Sequence, residues 1–193
     1  MLINKIKAGV TLKFPLGVKF STPVKNVEEC SVDALPLALT IIDGSRTSAL
    51  KVNFMPHAPG GVNYYETSGD VMSGNFTGCV MSTYSVGGKR RVAHVHTGVD
   101  AGPNRCCKAF MKGLITGASH TSVNNFKPFD GGRDSVKGVE ICRSSSFGAN
   151  GCVTFGLVTA GNKPYSIMTR KIGSHEFLVE AVIDQSARSY QFA

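Results

Sequence analysis

Cys79 is followed, 15 and 17 residues later, by His94 and His96. A thiol beside an imidazole is the smallest nucleophile–base unit a protein can build. The thiolate is the reacting species, and an adjacent imidazolium lowers the thiol pKa from about 8.5. Two more groups complete such a site: one that orients the imidazole, and preset N–H donors that receive a developing oxyanion. Gly78 stands directly before Cys79, where the lack of a Cβ lets the chain bend sharply and present the thiol. Asp70 and Asp100 flank the segment as candidate orienting carboxylates.

The elements that must position these groups are legible nearby. Residues 80–86 form a β-prone run, Gly87-Gly88 is a tight-turn signal, and residues 90–97 return as a second strand. A two-residue turn fixes the register of the strands on either side. In that register Cys79 falls opposite His96. His94 lies two residues away and therefore on the same face, so either imidazole can approach the sulfur, and a bulge would decide between them. The competing reading is plain. A cysteine leading into a strand is commonly a small core residue, and two histidines on one strand face are commonly structural.

The local words favour chemistry. Ser73-Gly74-Asn75-Phe76-Thr77-Gly78-Cys79, followed beyond the Gly-Gly turn by Val95-His96-Thr97-Gly98, resembles the catalytic region of the bacterial toxin glutamine deamidases. That group includes the cytotoxic necrotizing factor family and Burkholderia lethal factor. Its Leu-Ser-Gly-Cys word is matched here by Phe76-Thr77-Gly78-Cys79, apolar then hydroxyl at the two departures. The resemblance covers residues 68–99. It implies Cys79 as nucleophile and a histidine of the following strand as base, with His96 favoured by the Thr97-Gly98 that follows it and His94 as the alternative. It further implies an assisting hydroxyl six positions before the cysteine, where Ser73 stands in place of a Thr.

The reaction implied is hydrolysis of a glutamine side-chain amide in a host protein, such as a Rho-type small GTPase or a translation initiation factor. An amine in place of water would give transglutamination. The implied fold is a β-sandwich with helices packed outside. The resemblance also suggests a toxin or effector made in the bacterial cytoplasm without a Sec-type signal, then exported or injected into host cells.

The rest of the chain frames that reading. Its 193 residues suit a single domain, 1–193, with a real core. Twenty-two glycines among short apolar runs favour a mostly β fold, mainly antiparallel. Strands are expected over 10–14, 17–20, 37–42, 49–54, 62–66, 138–143, 152–160, 165–171 and 177–184. A modest amphipathic helix is expected over 105–116, and residues 68–74 and 118–135 read as loops.

No run of 18 apolar residues exists, so no membrane-spanning helix is expected, and residues 1–20 lack the unbroken apolar centre of a secretory signal. The six cysteines include the vicinal Cys106-Cys107 and no Cys-x-x-Cys. Free thiols are therefore expected, with neither a cofactor nor a zinc site of ordinary spacing.

The net charge of +8 suits docking onto an acidic protein surface. It is scattered rather than arranged as a nucleic-acid face, so nucleic acid is not the expected partner, and the protein is expected to be a monomer. Lys89-Arg90-Arg91 reads as a solvated turn, and His57, beside Pro59 and Gly60-Gly61, as a loop residue. Two other classes compete: a non-enzymatic basic β module that binds protein or nucleic acid, and a cysteine protease using the same Cys–His pair.

Overall fold

A computed structural model describes residues 2–22, 30–31, 35–59, 61–97, 120–129 and 151–190. Among them the chain is mostly β, with a short 3-10 turn at Leu2–Lys5 and twelve strands. These are β1 (Thr11–Lys13), β2 (Cys30–Ser31), β3 (Leu35–Asp43), β4 (Arg46–Pro56), β5 (Val62–Glu66), β6 (Val71–Gly74), β7 (Val80–Val86), β8 (Lys89–Val95), β9 (His120–Phe126), β10 (Cys152–Val158), β11 (Pro164–Lys171) and β12 (Glu176–Asp184). No described helix is long and apolar enough to cross a membrane.

Seven strands, in the order β1-β12-β11-β10-β6-β4-β3, close into a barrel because β1 pairs with both β12 and β3. Closure removes the exposed edges that an open sheet of this length would carry. Alternate residues point inward and fill the barrel. Phe14, Phe54, Phe155 and Phe177 are all buried there, with ring centroids 5.3–5.6 Å from Phe14. Leu12, Leu39, Val52, Leu157 and Val179 complete the layer.

The second sheet has five strands in the order β2-β5-β8-β7-β9. Its odd positions on β7 and even positions on β8 face the barrel wall. Met81 and Val92 there join Met55, Val71, Val158 and Met168 in one apolar cluster. The opposite face carries Val80, Ala93 and Val95 in a separate cluster. Gly156 on β10 is the point of closest approach, where a Cβ would lie 2.6 Å from Met81 Sδ and 2.8 Å from Pro128 Cγ. One closed barrel with a sheet packed on its wall thus replaces the two open sheets of a simple sandwich.

The elements differ from expectation in instructive places. Strands β5 and β7 have the expected bounds, and Gly87 and Gly88 adopt φ of 55° and 78° in the turn to β8, a primed hairpin turn that glycine serves at no steric cost. β3 and β4 are longer than read, pairing from Leu35–Phe54 to Asp43–Arg46 around a two-residue turn. Residues 17–20 make no strand. β6 was expected as loop, because Ser73 and Gly74 look polar and breaking. It is instead fully buried, pairing parallel to β4 and antiparallel to β10. β9, with the polar sequence His-Thr-Ser-Val-Asn-Asn-Phe, was likewise read as loop. The helix expected over 105–116 and the strand over 138–143 lie outside the described residues.

Lys89-Arg90-Arg91 is more than a solvated turn. Arg90 donates from Nη1 to the carbonyls of Thr67 (2.8 Å) and Gly69 (2.9 Å), and from Nη2 to that of Thr159 (2.8 Å). Its Nε meets Asn162 Oδ1 at 2.5 Å. One guanidinium therefore ties the β7–β8 hairpin to the chain before β6 and to the β10–β11 turn.

Candidate active site at the mouth of the β7–β8 hairpin

The register of the hairpin carries the site. Val80 pairs with Val95 and Met81 with His94, so the next pair outward is Cys79 with His96. Gly78, at φ 149°, turns the chain into β7, and its carbonyl accepts from Thr97 Oγ1 at 2.7 Å. This bond clamps the two chain ends together. Cys79 Sγ then lies 3.8 Å from His96 Nδ1. The residue is 6% exposed, just beneath a rim formed by the partly exposed Gly78, His96 and Thr97 and the exposed Thr77.

His94 faces the same way but has other work. It is fully buried, its ring stacks on Phe76 at 4.0 Å between centroids, and its Nδ1 lies 2.8 Å from Ser73 Oγ. Ser73 Oγ also donates to the Met55 carbonyl at 2.6 Å. A hydroxyl has one proton, so His94 Nδ1 must be the donor to Ser73. That fixes the tautomer and leaves His94 Nε2 bare, buried and without a hydrogen-bond partner. Ser73 thus acts on His94, and the hydroxyl six positions before the cysteine serves an imidazole.

The sequence reading missed His57. It follows β4 directly, and its backbone is pinned by His57 N to Phe20 O (2.9 Å) and Thr22 N to His57 O (2.8 Å). Its Nε2 stands 3.0 Å from His96 Nδ1 and 4.0 Å from Cys79 Sγ. Its ring lies 4.8 Å from that of His94. The signal in the sequence was an imidazole directly after the apolar Phe54-Met55-Pro56, which end β4 in the core. Asp70, considered as an orienting carboxylate, lies elsewhere: it accepts from Leu2 N (3.4 Å) and Ala160 N (2.7 Å). Asp100 lies outside the described residues. Cys79 and Cys152 form no disulfide.

Burial sets the electrostatics. It pushes the Cys79 thiol above its ordinary value, partly offset by backbone N–H groups of Thr97 and of Cys79 itself aimed at the sulfur. It pushes His57 down to about 4, with repulsion from His96 adding to the effect. His94 falls well below the ordinary imidazole range, through burial first and then the facing His57 and His96. The expectation of a thiol lowered by an imidazolium is thus reversed at rest. A neutral thiol stands among uncharged His57 and His94 rings, because charge in this dry cluster costs more than its partners return. The thiolate must form as it reacts.

The chain matches no family model, no curated protein and no solved structure. The site stands on its geometry.

Proposed function

We propose that the chain is a cysteine-dependent amidohydrolase that converts a glutamine side chain of a host protein to glutamate, in the manner of the toxin deamidases it resembles. The observation that carries the reading is the 3.8 Å approach of Cys79 Sγ to His96 Nδ1 just beneath the surface. In the tautomer where His96 Nδ1 is bare, it gives up its hydrogen bond with His57 Nε2 and takes the thiol proton as sulfur attacks the amide carbon. Concerted transfer suits a thiol that is neutral at rest, since no isolated thiolate need form in a dry site.

The tetrahedral adduct collapses with loss of ammonia, which leaves with the proton from His96. Water, deprotonated by the same imidazole, then hydrolyses the thioester; an amine in its place transfers the acyl group instead. The Thr97 N–H aimed at the sulfur stabilises it as the leaving thiolate.

The test is intact-mass analysis of Rho-type GTPases and translation initiation factors incubated with the protein. A gain of about one dalton with ammonia release is expected, abolished by Cys79→Ala and reduced about 10²–10⁴-fold by His96→Ala. No Cys79-dependent mass change on any of them overturns the deamidase reading, and peptide cleavage instead would assign the same pair to proteolysis.

A further inference from the structure

We infer that Cys79 and His57, flanked by His96 on one side and His94 on the other, form a binding site for a thiophilic divalent cation, zinc being the fitting ion. The donors come from three separate segments, so ordinary zinc spacing could not reveal them in the sequence. Cys79 Sγ, His57 Nε2 and His96 Nδ1 make a triangle with sides of 3.0, 3.8 and 4.0 Å. A point equidistant from the three lies about 2.1 Å from each, against Zn–N bonds of about 2.0–2.1 Å and Zn–S bonds of about 2.3 Å. The donor set, imidazoles with one thiolate, is the set that zinc selects.

His94 is the independent observation. Ligating atoms of His57, Cys79 and His94 lie within 4.8 Å of one another. The Ser73 hydrogen bond holds the His94 proton on Nδ1, and leaves Nε2 as a buried lone pair with no partner. A bare imidazole nitrogen, oriented by a hydrogen bond from the opposite nitrogen, is how proteins prepare a histidine to bind metal. His57 Nε2 and His96 Nδ1 face each other at 3.0 Å, close enough for one ion to replace the proton they share. A cation held by Cys79 and His57 can draw a third ligand from His96 or from the bare Nε2 of His94.

Binding releases the thiol proton and forms a metal–thiolate bond, with no change of oxidation state. The inference is independent of the hydrolytic reading, because it concerns ligation alone. If both hold, the loaded form has no free nucleophile, and the ion is a reversible inhibitor.

The experiment titrates the full chain, stripped with chelator, with Co2+ and then Zn2+. Expected are one equivalent bound, a near-ultraviolet thiolate-to-Co2+ charge-transfer band, tetrahedral visible bands, and displacement of cobalt by zinc. Cys79→Ala should remove the charge-transfer band. His57→Gln, at a partly exposed position that should leave the fold intact by circular dichroism, should weaken binding at least tenfold. Ser73→Ala, which frees the His94 tautomer, should lower affinity about 10–100-fold, with Ser73→Thr, which keeps the hydroxyl, recovering it. Absence of the thiolate band overturns the inference, as does a band that survives both Cys79→Ala and His57→Gln. Because the readout is metal binding, absence of deamidation by the chelator-stripped chain, with metal binding intact, would count against the enzyme reading alone.

Discussion

His94 donates its Nδ1 proton to Ser73 Oγ at 2.8 Å, while Ser73 passes its own proton to the Met55 carbonyl at 2.6 Å. This relay, buried between β4, β6 and β8, locks the orientation of the innermost imidazole. Ser73→Ala would leave both a ring N–H and a carbonyl short of a partner. A loss of about 1–3 kcal/mol is expected, read as a lower denaturant midpoint. Ser73→Thr, which keeps the hydroxyl, should recover part of it.

Acid should unfold the protein earlier than its carboxylates alone would. His57 titrates near 4 in the folded chain, against 6.5 when unfolded, and His94 is depressed well below the same value. Between those limits the unfolded state binds more protons, so stability is complete above pH 6.5 and is lost as pH falls towards 4. His57 alone accounts for on the order of 3 kcal/mol by pH 4. Denaturant midpoints at pH 7, 5.5 and 4, taken in chelator, should fall in that order, and His57→Gln should flatten the decline. A midpoint unchanged from pH 7 to pH 4 would contradict this account of the buried imidazoles.

Cys79 should alkylate slowly at neutral pH in the resting protein. Burial raises its pKa, and the neutral His57 supplies no compensating charge. The rate should keep rising with pH beyond the point at which a free cysteine levels off. A rate that levels off below pH 8 would mean that the resting site already holds a thiolate.

Arg90 should behave as a structural staple. Three backbone carbonyls lose a charged donor in Arg90→Ala, and a destabilisation of about 2–4 kcal/mol is expected. Arg90→Lys should recover little, because an ammonium cannot present the planar fork that reaches all three. Thermal unfolding of both variants checks this, and a lysine variant as stable as the parent would argue against the fork.

Gly156→Ala places a methyl against Met81 Sδ, Pro128 Cγ and Phe76 Cε2, the last at 3.1 Å. Met81 can move, but a proline ring yields less. The second sheet should ride outward at a cost of about 1–3 kcal/mol. Phe76 and Met81 share the Cys79 cluster, so faster Cys79 alkylation should accompany the stability loss.

Where the sequence misled, it did so through the environment that the fold later imposed. Ser73 and Gly74 look like loop residues until β4 and β10 cover both edges of β6 and the Phe155 ring packs over Gly74. The polar β9 forms because its backbone pairs with β7, with Ser82 Oγ donating to Asn125 Oδ1 at 2.6 Å. Arg90 looked like one charge in a basic run, and only the approach of carbonyls from Thr67, Gly69 and Thr159 gave it a fixed position.

The amino-acid order by itself determined the β7–β8 hairpin and its register, and with them the facing of Cys79 and the two histidines of the next strand, His94 and His96. Two glycines with positive φ and a period of two are local instructions, complete within some twenty residues. The folded chain alone decided that His57 would join them, that His94 would turn to Ser73, and that the thiol would rest protonated. Those outcomes depend on burial and on groups brought together from distant segments, and no local pattern encodes the desolvation of a side chain by strands that pair elsewhere.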